Sequence, residues 1–209
     1  MANLFVIPAR NAPIAAIIRR GPSAWHHLIR WDTRRDQFEH GAWFKGRIYE
    51  DKCDLSPAGA LFLYFVHQGS RGETKFTHAW TAVSRFPWLT AIAVWPQGTT
   101  YGGGGRFIGA RDIALRAFCY DSGPKTHPDY PPRGLRVVDA KAELHRSADL
   151  VPDAGWSGYD FAGKIIYTKG DGVYRRERRA DRLVADFSEL KPDPQPPPHW
   201  AEKPLVSGP

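Results

Sequence analysis

Four consecutive glycines, Gly102 to Gly105, constrain this chain more than any other feature, because they strip every Cβ from the backbone at one place. Either the backbone turns through positive φ there, or a neighbouring segment packs against bare peptide. The run closes a stretch, Trp80 to Phe107, that also holds three of the eight tryptophans. Within it, Leu89 to Trp95 is a short apolar run stopped by Pro96 and Gly98, which reads as a buried or half-buried strand. Phe86 precedes Pro87 and is thereby pushed out of the α region, so the approach to that strand is extended.

Two readings of the glycines stay open. A nest of backbone N–H groups, with Arg106 beside it, cradles a phosphate or another anion. The Lys-Ser/Thr of a P-loop does not follow, and the spacing is not that of the dinucleotide fingerprint. A bend or bulge between two strands, with Tyr101 and Phe107 covering the gap, accounts for the same residues. The recognition surface expected from this stretch is Arg85, Trp88, Trp95, Tyr101, Gly102, Gly103, Gly104, Gly105 and Arg106.

Short strands are expected elsewhere too, since 20 glycines and 18 prolines in 209 residues leave little room for long helices. The length suits one domain with a real core. No run of 18 apolar residues is present, Leu4 to Ile7 is too short for a signal peptide, and Cys53 and Cys119 lack metal-type spacing. A soluble, reduced, cytoplasmic protein without a membrane segment is the expectation. The net charge of +7 leans toward the N-terminus, where residues 1–50 hold eight Lys and Arg against four Asp and Glu. That field helps approach to nucleic acid, an anionic metabolite or an acidic partner, but dispersed arginine on a β surface commonly serves only solubility, and no nucleic-acid motif accompanies it.

Taken in order, Leu4 to Ile7 and Ile14 to Ile18 read as edge strands, or as a strand and its lead-in, ended by Arg19-Arg20-Gly21-Pro22. In Trp25 to Asp32, alternation puts Trp25, His27, Ile29 and Trp31 on one core-facing side and His26, Leu28 and Arg30 on the other. Strand resumes at Trp43 to Tyr49. Asp54-Leu55-Ser56-Pro57-Ala58-Gly59 is a turn whose side chains bond their own backbone, followed at once by the strand Leu61 to Val66. A degenerate copy runs from Asp160 through Gly163 to Tyr167, and Gly170-Asp171-Gly172 then turns into Val173 to Arg175 and Leu183 to Asp186. Ile113 to Phe118 reads as strand or a turn of helix, Asp121 to Gly134 as a loop, and Ala140 to Val151, with Ala140, Leu144 and Ala148 at i, i+4 spacing, as the best helix.

Strand, Asp-x-Ser-Pro-x-Gly turn, strand, Gly-Asp-Gly turn, strand over residues 53–66 and 159–187 resembles the repeated hairpins of TolB-like and WD-like β-propeller blades. More broadly, Arg30-Trp31-Asp32, Trp43 to Arg47, Cys53 to Pro57 and Thr90 to Gly105 resemble a family of bacterial proteins of unassigned function, a likeness spanning most of residues 15–190. The first resemblance implies blade-like hairpins; the second implies no activity.

Catalytic and metal-binding constellations are weak. His26, His27, His40, His67 and His78 crowd the first 80 residues without a recognised ligand spacing, and satisfied or solvated strand histidines explain them. Glu50, Asp51 and Asp54 surround Cys53, where acids raise rather than lower a thiol pKa. Arg175 to Arg179, interleaved with acids, reads as a solvated loop that can also meet phosphate. The expectation is a mainly β fold of antiparallel meander sheets, propeller-like or an irregular barrel or sandwich, with one domain over 1–190 and a Pro-rich extended or disordered tail over 191–209. Its function is expected to be a non-enzymatic interaction or ligand-binding module without cofactor, catalytic residue or metal. A protein is the leading partner and an anionic small molecule or nucleic acid the next. The enzyme alternative is a hydrolase or transferase acting on an anionic substrate at Gly102–Gly105, with His78 or Asp54 as base.

Overall fold

A computed structural model describes residues 3–69, 77–116, 125–178 and 180–205. Cys119, Phe118, Arg179 and the first part of the 121–134 loop lie outside the described residues. The chain is mainly β, built from antiparallel sheets that form no closed barrel.

The first sheet is a sequential meander of β1 (Asn3–Pro8), β2 (Ile14–Arg20), β3 (Trp25–Asp32) and β4 (Gln37–Lys45). The second contains β5 (Arg47–Ile48), β6 (Asp54–Leu55), β7 (Leu61–His67), β8 (Ala79–Arg85) and β9 (Ala91–Pro96), with β5 and β6 both pairing with β7. The third is small: β10 (Gly105–Phe107), β11 (Asp112–Leu115) and β12 (Arg136–Val137), the last joining in parallel. The fourth is again a sequential meander, β13 (Trp156–Tyr159), β14 (Ile165–Lys169), β15 (Gly172–Arg175) and β16 (Arg182–Asp186).

Strand alternation distributes the core between the sheets. On β2, Ile14, Ala16 and Ile18 enter a cluster with Phe62, Tyr64 and Val66 of the second sheet. Ala15 and Ile17 enter another with Trp156, Ile166 and Val173 of the fourth. The first sheet thus lies between the fourth and the second. A third cluster joins Leu61, Leu63 and Trp95 to Phe107 and Ile113 of the third sheet. Each fully buried aliphatic contributes about 1.5–3 kcal/mol, and a one-residue slip of β2 would move its whole set to the wrong face.

Three expectations are corrected here. β2 is an interior strand, and β3 is buried on both faces, with Leu28 in the first cluster and Ile29 and Trp31 in the second. Residues 138–150 form no helix. Their backbone bonds go to other segments, His145 N–H to the Asp51 carbonyl and Ala148 N–H to that of Ser157. A dozen residues whose i, i+4 stripe offers one leucine between two alanines cannot hold an isolated helix against such bonds.

Both turn copies have the geometry read from their residues. Ser56 Oγ accepts from the N–H groups of Ala60 and Leu61, and Asp160 Oδ1 from those of Ala162 and Lys164. Gly59 and Gly163 share a φ of +74°. Beyond residue 191 the chain runs without regular structure to α1 (His199–Glu202), where Ala201 and Leu205 are buried. Trp200 remains 45% exposed, so the small residues, not the indole, seat the segment.

Candidate functional site

The glycine run is a packed bend. Gly102, Gly103 and Gly104 take φ of +80°, +74° and +78°, and Gly103 to Gly105 are buried. A Cβ on Gly103 would meet the Phe65 ring and Gln97, one on Gly104 the Lys52 carbonyl, and one on Gly105 the Ala114 carbonyl. Gly104 N–H donates to Thr81 Oγ1 at 2.9 Å, so this donor is already used inside the protein. Both properties that glycine permits, left-handed backbone and close approach, are therefore spent on packing.

The residues grouped with that run in sequence separate in space. Trp95 is 1% exposed within the third core cluster, which corrects its placement on a recognition surface. Arg85 reaches the C-terminal segment, donating to the carbonyls of Lys203 at 3.0 Å and Pro204 at 3.3 Å. Arg106 bonds the carbonyls of Cys53 at 2.7 Å and Asp51 at 3.3 Å. Trp88 is half-buried, and Tyr101 is exposed beside the half-buried Gly102. His78 makes no hydrogen bond to the run, while Asp54 Oδ2 accepts from Phe107 N–H at 2.7 Å, two residues beyond it. Both Asp54 oxygens are engaged, since Oδ1 lies 2.9 Å from His145 Nε2, and Arg10 stands 3.6 Å away. Cys53 is buried, its Sγ donates to the Tyr49 carbonyl, and burial pushes its thiol pKa far up, which disqualifies it as a nucleophile.

The strongest constellation lies at the β2–β3 hairpin. Alternation at the end of β2 sends Arg19 toward the fourth sheet and Arg20 toward the second, and the register sets Arg20 opposite His26. Pairing of Arg47 with His67 and of Trp25 with Lys45 brings three more basic side chains to the same edge. Together Arg20, His26, Lys45, Arg47 and His67 line a cavity of about 520 Å³, floored by Gly46 and Gly69. Among the described residues no carboxylate is on its wall. Glu50 sits behind it, accepting from Arg47 Nη2 at 3.1 Å and lying 3.6 Å from His26 Nε2. Burial raises the Glu50 pKa, but His26 and Arg47 outweigh it and hold the carboxyl below its ordinary range. At 3.6 Å the His26 contact is too long for a hydrogen bond. His26, 2% exposed, consequently has neither ring nitrogen bonded, and Arg47 Nη1 is likewise buried without a partner. Buried donors of this kind are costly unless something fills them.

Other basic features are internally neutralised. Arg175, expected on a solvated loop, is 5% exposed, bonds both oxygens of Asp36 at 2.8 and 3.0 Å and donates to the Thr33 carbonyl. Arg176 pairs with Asp181, and Arg182 with Asp36 and Glu177. The histidines divide as well. His27 Nδ1 donates to the Ala42 carbonyl at 3.2 Å, which leaves its Nε2 to accept from His40 Nδ1 at 3.0 Å. No group of three or more His, Cys, Asp or Glu among the described residues is arranged to hold a metal. No helix among them is long and apolar enough to cross a membrane.

Burial lowers the His27 pKa from 6.5 to about 4, opposed by the Ala42 carbonyl and helped by His40 and Arg19. Between these values the unfolded chain binds the proton and the folded chain does not, so stability rises with pH through that window. The carboxylates held low, Asp36 and Glu50, begin to matter only below 4.5. Relative to pH 7.5, His27 is expected to remove about 2 kcal/mol by pH 5, roughly 4–8 °C of melting temperature. Thermal melts of the protein and of His27→Gln at both pH values check this; an equal pH drop in the two would contradict it.

Sequence reasoning missed Arg20 and Lys45, and weighed His26 and His67 only as candidate ligands, because strand pairing, not spacing, assembles the group. The one available signal was the adjacent pair Arg19-Arg20 at a strand end, which alternation must split between two faces. Compared with protein-family models, with curated proteins and with solved structures, the chain finds no match in any of the three.

Proposed function

We propose that this protein is a non-enzymatic ligand-binding module whose site is the cleft of Arg20, His26, Lys45, Arg47 and His67, and that the ligand presents a phosphate-class anion there. The observation carrying this reading is a cavity walled by basic side chains, with both ring nitrogens of His26 and the Nη1 of Arg47 buried without a hydrogen bond. A fixed fork such as Arg47 matches tetrahedral oxyanions, and its anchoring by Glu50 sets the guanidinium in place before the ligand arrives. The packed glycine bend gives the alternative, a hydrolase or transferase on the Gly102–Gly105 loop, less support. The anionic group can belong to a small molecule, a nucleic acid or an acidic protein partner. A cytoplasmic setting belongs to the same proposal, supported by Cys53 as a free buried thiol. So does the view of the sheets as propeller-like blades, supported by the sequential meanders of the first and fourth.

Isothermal titration of the full chain with tripolyphosphate at low salt is the test. Binding is expected to weaken on adding salt, and Lys45→Ala to weaken it about tenfold, the worth of one charge-assisted contact. Arg85→Ala should leave it unchanged. Absence of binding, or equal affinity in Lys45→Ala, would overturn the assignment.

A further inference from the structure

The hairpin that supplies Arg20 to the cleft has a second cavity on its other flank. It measures about 640 Å³ and is lined by Asn3, Arg19, Arg20, Asp171, Ser188 and Lys191, among others. Arg19 is 4% exposed; its Nη1 donates to the Gly21 carbonyl at 2.7 Å, and its Nε lies 3.6 Å from Asp171 Oδ1 without a hydrogen bond. Here too a buried charged group faces a cavity with bonding capacity to spare. Among the described residues Asp171 is the one carboxylate on this wall, and Arg19 offsets it, so Arg20 and Lys191 supply the excess charge.

The two cavities share Arg20 and Ser23. Arg20, Pro22 and Ser23 are exposed, so the dividing crest is open and a chain can pass over it without any movement of the hairpin. Among the described residues, the side chains of Arg20 and Lys191, the former on a strand end and the latter exposed, enter no hydrogen bond or ion pair. Among the described residues neither cavity is lined by Phe, Tyr or Trp, which leaves stacked bases little to rest on. A site with repeated positive charge and no stacking surface selects for charge along a chain, not for rings.

We infer that the two cavities form one track across the β2–β3 hairpin, and that its ligand is a linear, ring-free polyanion of the inorganic polyphosphate class. The inference rests on the anion-binding reading of the cleft and extends it to a ligand long enough to occupy both flanks. Arg20, on the crest, contacts the middle of the chain, Lys45 one arm and Lys191 the other.

The full chain is titrated with tripolyphosphate, with long-chain polyphosphate and with oligothymidylate of matched charge, using the protein itself and its Lys45→Ala, Lys191→Ala and Arg20→Ala variants. Lys191 is exposed, so its substitution leaves the fold intact, and circular dichroism checks each variant. The expected result is that Lys191→Ala leaves tripolyphosphate affinity unchanged but weakens long-chain polyphosphate about tenfold, with Lys45→Ala weakening both and Arg20→Ala affecting the long chain most. If tripolyphosphate binds and Lys191→Ala does not alter the long chain, the track is overturned while the cleft stands. Failure of every ligand to bind overturns the cleft and the track together. Tighter binding of oligothymidylate than of polyphosphate overturns the ligand class.

Discussion

Gly104→Ala is expected to destabilise the protein by about 3 kcal/mol or more, a drop of roughly 6–12 °C in melting temperature. Two costs coincide at this residue. Its φ of +78° is disfavoured for any side chain, by about 1–2 kcal/mol. The new Cβ would also fall on the Lys52 carbonyl, which is backbone and cannot swing aside as a side chain does. Lys52 is itself held by its Nζ bonds to the carbonyls of Thr100 and Gly102, at 3.0 and 2.7 Å. Gly163→Ala separates the two costs, since its φ is +74° but nothing lies within 4 Å of its Cβ position. It should lose only the conformational part, about 1–2 kcal/mol. Urea denaturation of the two variants decides the matter: equal losses would mean that Gly104 is kept for its φ alone and that the packed bend is not tight.

Asp54→Ala is expected to cost a similar amount, about 3 kcal/mol, and for a different reason. The carboxylate is 1% exposed and ties three segments at once, through Phe107 N–H after the glycine bend, His145 on the irregular 138–150 segment and Arg10 on the turn after β1. Arg10 also donates to the Phe107 carbonyl, so the same residue is gripped from both sides. Alanine leaves the buried Phe107 N–H with no acceptor, while the half-exposed Arg10 recovers water. His145→Ala removes one arm only and should cost under about half as much. A loss confined to about 0.5 kcal/mol for Asp54→Ala would show that the three segments hold together without their common acceptor.

Strand character was legible wherever alternation was long enough. β3 follows from it, β2 and β7 follow from their short apolar runs, and the Ser56 and Asp160 turns are legible because those side chains bond their own backbone and need no distant partner. What lay beyond reading was depth. Period-two alternation says which residues share a face, but Arg19, His26 and His27 occupy both faces of a sheet covered on both sides, and only the neighbouring sheets decide that these three are buried while Arg20 beside them stays exposed. The helix expected at Ala140 to Val151 failed for the same reason, since its backbone groups were claimed by Asp51 and Ser157, residues about ninety positions before and nine after. The glycine run was rightly seen as permissive for backbone; whether protein or ligand would fill the permission depended on Phe65, Lys52 and Ala114, none of them nearby in sequence.

The place of the first sheet between the fourth and the second bears on how the chain is made. Its face toward the second sheet is covered as soon as β7 to β9 emerge, but Leu4, Val6, Ile17, Ile29 and Trp31 await Trp156, Ile166 and Val173. At a synthesis rate of about 5–20 residues per second, that interval lasts on the order of 10 s. During it a half-finished protein shows the cell a greasy, strand-edged wall. Slowing elongation before residue 156 is therefore expected to raise the fraction that aggregates, and an unchanged fraction would show that the exposed face is harmless.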